Sequence, residues 1–348
     1  MMSAQTARWI RDHADALAEA IVARHYDLES EVWTPYGEPG RRKSVRDARY
    51  HLEYLAEALD ADDPSLFTAY LAWVKALFAG LRFSDTVLPT TLEYTRLVLA
   101  ERLPVEVAAP ALDMIQMGQE SLAAAPVTVP GYLDGDTPLD HLAQRYLAAL
   151  LAGDRMSASR MILEAVEQGT PVREIYLRVF QPCQHELGRL WQTNQISVAQ
   201  EHYCTAATQL IMSQLYPLIF AAAKKGPRLV ATCVGGELHE IGARMVADFF
   251  EMDGWDTYFL GANTPTESVL RDVHERRADV LAISCTMTFH LERVREVIAA
   301  LHASGLPARV LVGGYPFNIA PGLWQKIGAD GYAPNAQAAI PVAERLLA

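Results

Sequence analysis

The sequence is poor in cysteine and in positive charge, and it contains no long uninterrupted apolar run. Only 4 of its 348 residues are cysteines, and Cys183, Cys204, Cys233 and Cys285 lie far apart with no CxxC pair. That excludes the usual spacings of zinc and iron–sulfur sites and fits reduced thiols in a cytoplasm. Lysine and arginine total 30 against 42 aspartates and glutamates, a formal net charge of −12. Such a chain lacks the phosphate-neutralising surface that nucleic acid requires, and no helix-turn-helix with a basic recognition segment is present. Arg8, Arg11 and Asp12 stand where a signal peptide would need an apolar core, so none is expected. The stretch from Cys204 to Ala223 carries no charge, but Thr, Gln, Ser, Tyr and Pro interrupt it, which favours a buried bundle helix over a membrane span. No membrane partner and a cytoplasmic location are therefore expected.

What is present is an ordinary globular balance, 51% hydrophobic and 21% charged, in a chain long enough for two domains or more. Periodicity separates the regions. Residues 1–126 show helical i, i+3, i+4, i+7 spacing, as in Phe67, Leu71, Val74 and Phe78. Asp63-Pro64-Ser65 and Ser84-Asp85 read as helix starts. Residues 127–139 hold two prolines and two glycines and read as a linker. Residues 140–225 read as four helices with short turns, near 140–152, 155–168, 172–192 and 196–222, which make a bundle. Residues 226–348 alternate strands (Pro227–Val234, Thr257–Leu260, Val280–Cys285, Arg309–Gly313) with helices near 240–252, 266–276, 289–303 and 337–347. That alternation implies a parallel sheet covered on both faces, with ligands at the carboxyl ends of the strands. The expected fold class is α + α/β: an all-helical N-terminal domain, a four-helix bundle, and a flavodoxin- or Rossmann-like parallel sheet.

The strand ends carry the unusual chemistry. After the first strand comes Gly235-Gly236-Glu237-Leu238-His239-Glu240-Ile241-Gly242; Ser284, at the end of the third strand, opens the run Ser284-Cys285-Thr286, and Gly313-Gly314 ends the fourth strand. A lone histidine before a helix is more often a cap or a satisfied core residue. Here glycines flank it and recur at a second strand end, where a bulky ligand can approach the backbone. Glu237-x-His239-x-x-Gly242, Ser284-x-Thr286 and Gly313-Gly314 together resemble the cobalamin-binding domain, with Glu237 where aspartate is usual. The resemblance implies that His239 replaces the cofactor's dimethylbenzimidazole as lower cobalt ligand. It also implies that Glu237 and Ser284 stand behind the other ring nitrogen, while the displaced nucleotide tail runs past the serine and the glycine pair.

The bundle adds Trp191 followed after nine residues by Glu201-His202, a spacing similar to the cap of CarH-type light sensors, where these positions surround the adenosyl group of adenosylcobalamin. Those sensors carry a histidine after the tryptophan; here it is Gln192, so after light the upper ligand would be another residue, with His202 or His185 as candidates, or water. The front domain holds many aromatics, with His13, His25 and His51 among them and a basic run Arg41-Arg42-Lys43. It reads either as core and dimer surface or as a second chromophore pocket, similar to the photocobilins, which add a bilin such as biliverdin. On these residues the chain is expected to be a light-sensing, signalling adenosylcobalamin photoreceptor. It would not be an enzyme, would form a homo-oligomer such as a dimer, and would act on an output protein. The alternative is a corrinoid methyl carrier working with separate methyltransferases. An adenosylcobalamin isomerase subunit ranks last, because the chain lacks a substrate barrel.

Overall fold

The computed structural model describes residues 2–348. Its chain falls into two compact units, each described by itself.

The first unit comprises residues 1–127 with the segments Met287–Glu292 and Asn318–Ile327. Its helices are α1 (Met2–Asp12), α2 (Ala14–Leu28), the single turn α3 (Ser30–Trp33), α4 (Gly37–Ala61), α5 (Pro64–Gly80), α6 (Val87–Arg102) and α7 (Val105–Ala124). Asp63 starts α5 as expected, its side chain accepting from the Ser65 amide ahead of Pro64. The helix after Ser84-Asp85 begins later, at Val87, because Ser84 Oγ is engaged by the Thr86 amide in a local turn. Ile10, Leu17, Ile21, Leu52, Leu55, Phe67, Leu71 and Ile115 are fully buried and form the helical core.

The aromatic residues of this unit pack on one another. Tyr54 stacks on Tyr70 with ring centroids 3.6 Å apart, and Phe289 packs edge-on against Tyr54. His25 lies against Trp33 and Tyr94, with Nδ1 on Glu29 and Nε2 on Thr91. Tyr70 O–H donates to His51 Nδ1 at 2.8 Å, and burial pushes His51 down to about 4, keeping it neutral.

The second unit comprises the rest of the chain. The helical cap has α8 (Pro138–Leu151), α9 (Arg155–Glu167), a long helix 172–192, α12 (Val198–Gln214) and the short α13 (Tyr216–Ile219). Thr137 and Asp140 form a reciprocal capping box on α8, and Ser197 and Gln200 form another on α12. The 172–192 helix is not uniform: α10 (Val172–Ile175) widens into a π turn at Tyr176–Phe180 before α11 (Gln181–Gln192). Pro182 explains the widening, since it has no N–H for the Arg178 carbonyl and its ring crowds that turn.

The sheet is five-stranded, parallel and ordered β2-β1-β3-β4-β5, the doubly wound flavodoxin-like order. Its strands are β1 (Arg228–Val234), β2 (Asp256–Thr264), β3 (Val280–Ser284), β4 (Arg309–Gly313) and β5 (Gly331–Tyr332). Helices α14 (Ile241–Met252), α15 (Thr266–Arg276), α16 (Leu291–Ser304) and α19 (Ala336–Leu347), with the short α17 (Tyr315–Ile319), connect and follow them, while α18 (Leu323–Lys326), between β4 and β5 in the chain, belongs to the first unit. The α + α/β class is therefore the observed one. Strand β5, two residues long, has no periodicity for sequence reading to find. Cap residues such as Tyr146, Phe180 and Ile211 share one buried core with Leu229, Ala231, Val280 and Leu311 of the sheet. Among the described residues no helix is long and apolar enough to cross a membrane.

Candidate cobalamin site at the strand ends

Strand β1 delivers the chain to a loop, Gly235–Glu240, at the carboxyl edge of the sheet. The loop turns tightly: the Glu237 amide donates to Val234 O, and Gly236 takes a φ of +85° that a side chain would resist. Asn263, at the end of β2, clamps the turn. Its side-chain oxygen accepts from the Gly236 amide at 2.7 Å, and its own amide donates to Glu237 O at 2.9 Å.

Inside this turn the Glu237 carboxylate is fully buried. Oε1 accepts from His239 Nδ1 at 2.6 Å and from the His239 amide at 3.1 Å, while Oε2 accepts from the Thr286 amide at 2.9 Å. An ionised carboxylate only accepts, so Nδ1 carries the proton and Nε2 keeps its lone pair for a ligand. The imidazole remains 58% exposed at the loop surface. The hydrogen bond to Glu237 raises its pKa first; partial burial opposes this, and the charges of Glu237 and Glu201 add to it. Beneath the loop, the Cys233 thiol donates to His239 O at 3.6 Å, and burial pushes that thiol up to about 12. It is a packing group, not a nucleophile.

The surroundings fit a large planar cofactor held by one nitrogen. A Cβ on Gly235 or Gly242 would meet nothing nearer than 4.0 Å, and for Gly242 that neighbour is Ser284 Oγ. Leu238 is 71% exposed beside the histidine, an apolar surface for a flat ring to cover. The glycine pair on β4 has a different reason. A Cβ on Gly314 (φ +108°) would sit 1.9 Å from Cys285 O, and one on Gly313 3.0 Å from Ala333 O, so backbone crowding demands glycine there.

A B12 binding domain model matches residues 227–340, and a second B12 binding domain model matches residues 142–216. Dimethylamine corrinoid protein 3 of Methanosarcina acetivorans is 31% identical over 193 residues, which are 53% of this chain and 89% of that relative. This chain belongs to the B12-binding corrinoid proteins. Dimethylamine corrinoid protein 2 of Methanosarcina mazei is 38% identical over 130 residues, 36% of this chain and 59% of the relative. Among solved structures, the Methanosarcina barkeri monomethylamine corrinoid protein has the same fold, with a TM-score of 0.53 and 23% identity over 59% of this chain and 98% of that one.

These relatives correct the expectation of a light sensor. The three relatives are named as methylamine corrinoid proteins, which contradicts the photoreceptor function, its signalling role, the adenosyl form of the cofactor and the biliverdin. The cap residues Trp191, Glu201 and His202 lie where two helices join. The nine residues between Trp191 and Glu201 hold the end of α11, a turn with Asn194 at φ +57°, and the Ser197–Gln200 capping box of α12. That spacing is what joining these two helices takes. Glu201 and His202 are adjacent in the first turn of α12, so their side chains leave that helix in different directions. Glu201 is partly buried, accepts from Thr205 Oγ1 at 2.7 Å, and is close enough for its charge to act on His239. His202 is 74% exposed, 3.6 Å from Glu201.

His185 packs its ring against Tyr132 of the linker, whose amide donates to Glu186. Gln192 is buried in the cap, while Trp191 remains 36% exposed. Of the two readings of the front-domain aromatics, core and dimer surface or a second chromophore pocket, the packing of Tyr54 on Tyr70 and of Trp33 and Tyr94 on the buried His25 fits a core. Sequence reading missed Asn263, Glu240 and Gln209. Only Asn263 carried a signal, since asparagine tolerates the left-handed backbone it adopts at φ +51°.

Proposed function

We propose that this corrinoid protein is a methyl carrier that works between separate methyltransferases and is not itself a catalyst. When bound, the cobalt corrin supplies a centre that takes a methyl group from one partner and yields it to another. The residues of this chain bind and orient it. His239 presents Nε2 as the lower ligand, and Glu237 fixes the tautomer and the ring direction from a fully buried position held by three hydrogen bonds. Ser284 and Thr286 at the end of β3, Gly313 and Gly314 at the end of β4, and Gly242 in the first turn of α14 would border the rest of the cofactor. Trp191 and Glu201 belong to the cap above, with His202 at its rim.

The reading is carried by one observation: a histidine whose Nδ1 is committed to a buried carboxylate, in a chain of which 53% matches 89% of a dimethylamine corrinoid protein. Protein loaded with hydroxocobalamin, reduced with titanium(III) citrate and given iodomethane should take up methyl in proportion to bound cobalt. It should then release that methyl to a thiolate, with return of Co(I), only when an accepting corrinoid methyltransferase is added. A protein that binds the corrin tightly and takes up no methyl would refute the carrier function.

A further inference from the structure

Glu240 follows the candidate ligand directly and stands at the N-terminus of α14, yet its side chain does not cap that helix. Both of its oxygens are spent elsewhere. Oε1 accepts from Gln209 Nε2 at 2.6 Å, and Oε2 accepts from the Ala262 amide at 2.9 Å. The second bond exists because β2 slips its register against β1 between Ala231 and Thr232, where Gly261 takes a φ of +82°. A Cβ on Gly261 would stand 3.1 Å from Glu240 Oε2, so the glycine also leaves room for the carboxylate.

The first bond reaches the cap. Glu201, Thr205, Gln209 and Ser213 recur every fourth residue on α12 and so share one face of that helix. Thr205 holds Glu201, Gln209 meets Glu240, and Arg244 donates to the Gln209 carbonyl at 3.2 Å and to Ser213 Oγ at 2.8 Å. One polar seam therefore runs from the residue whose charge reaches His239 to the residue that follows His239 in the loop.

We propose that Glu240 is a positioning residue that ties the His239 loop to cap helix α12 and to the end of β2, so that the cap sets how His239 is presented. Gln209 is its counterpart on the cap. The consequence for cobalt rests on His239 being the lower ligand; the tie itself does not.

Two readouts on the full chain separate these. Hydrogen exchange without added cofactor should show residues 235–241 exchanging about tenfold faster in Glu240→Ala, and measurably faster in Gln209→Ala, which leaves the loop sequence untouched. The double variant should add little to Glu240→Ala, as expected for two ends of one contact. After loading with hydroxocobalamin, the same variants should retain corrin but show a smaller histidine-ligated fraction in the visible spectrum. Glu240→Gln, which keeps the volume and one acceptor, should recover part of both. Unchanged loop exchange in Glu240→Ala and Gln209→Ala would overturn the proposal. Faster exchange in a protein whose wild-type form shows no histidine-ligated spectrum would uphold the tie and refute His239 as ligand.

Discussion

Replacing Glu237 by glutamine isolates the contribution of the buried carboxylate, because the size is kept and only the acceptor set changes. In the wild-type protein the side chain is fully buried and accepts from His239 Nδ1, the His239 amide and the Thr286 amide. A glutamine offers one carbonyl oxygen toward His239 and turns its NH2 toward the Thr286 N–H. One buried donor then lacks an acceptor, which costs about 1–3 kcal/mol. The bond to Nδ1 also loses its charge assistance and roughly half its strength. A net loss near ~2 kcal/mol in the histidine-bound state corresponds to about 30-fold in its formation constant. That lies within the roughly 10–100-fold range found for residues that orient metal-binding histidines. The assay is a spectrophotometric titration of cofactor-free protein with hydroxocobalamin, read as affinity and as band position. Glu237→Asp, which keeps the charge, should recover most of the loss, and Glu237→Ala should lose more than Gln. A Gln variant within about twofold of wild type, with the same spectrum, would refute the role given to Glu237.

Three further outcomes follow from other parts of the chain. His51 is neutral and buried with a folded pKa near 4, against about 6.5 unfolded, so its contribution is intact above pH 6.5 and is lost as pH falls toward 4. The full loss is about 3 kcal/mol, and His51→Gln should flatten the fall in chemical-denaturation midpoint across that window; an unchanged profile would contradict this. Gly314→Ala should destabilise by about 3 kcal/mol or more, since its Cβ would strike the Cys285 carbonyl and its backbone is left-handed. Wild-type stability by denaturant unfolding would show that β4 can shift. Thr137→Ala removes half of the α8 capping box and should cost about 1 kcal/mol in the same assay; a loss below a few tenths would mean that Asp140 alone suffices.

How much of this was legible in the sequence depends on the range of the physics at each residue. Strands β1, β3 and β4 are buried on both faces and read directly as apolar runs. The residues Glu237, His239 and Gly242 are close in sequence, so their grouping survives without a structure. The Thr286 amide that completes the carboxylate, and the Asn263 clamp, come from other strand ends and are joined only by the β2-β1-β3 order. The Glu240–Gln209 contact joins residues 31 positions apart, and neither is unusual by type or spacing. The light-sensor reading drawn from the cap spacing is corrected for a different reason: Trp191, Glu201 and His202 sit at a helix end and in a first turn, so their spacing reports helix joining as much as chemistry. The front-domain aromatics likewise carried composition without partners, and the structure pairs them with each other.

The central claim is that this corrinoid protein holds cobalt through His239 Nε2. The most direct measurement is the electron paramagnetic resonance spectrum of the Co(II) form, prepared once with natural histidine and once with 15N-labelled histidine. Histidine ligation predicts that the superhyperfine pattern of the axial nitrogen changes from the triplets of 14N to the doublets of 15N, and that His239→Ala abolishes it. A pattern that ignores the label, from the cofactor's own benzimidazole or from no axial nitrogen, would contradict the account.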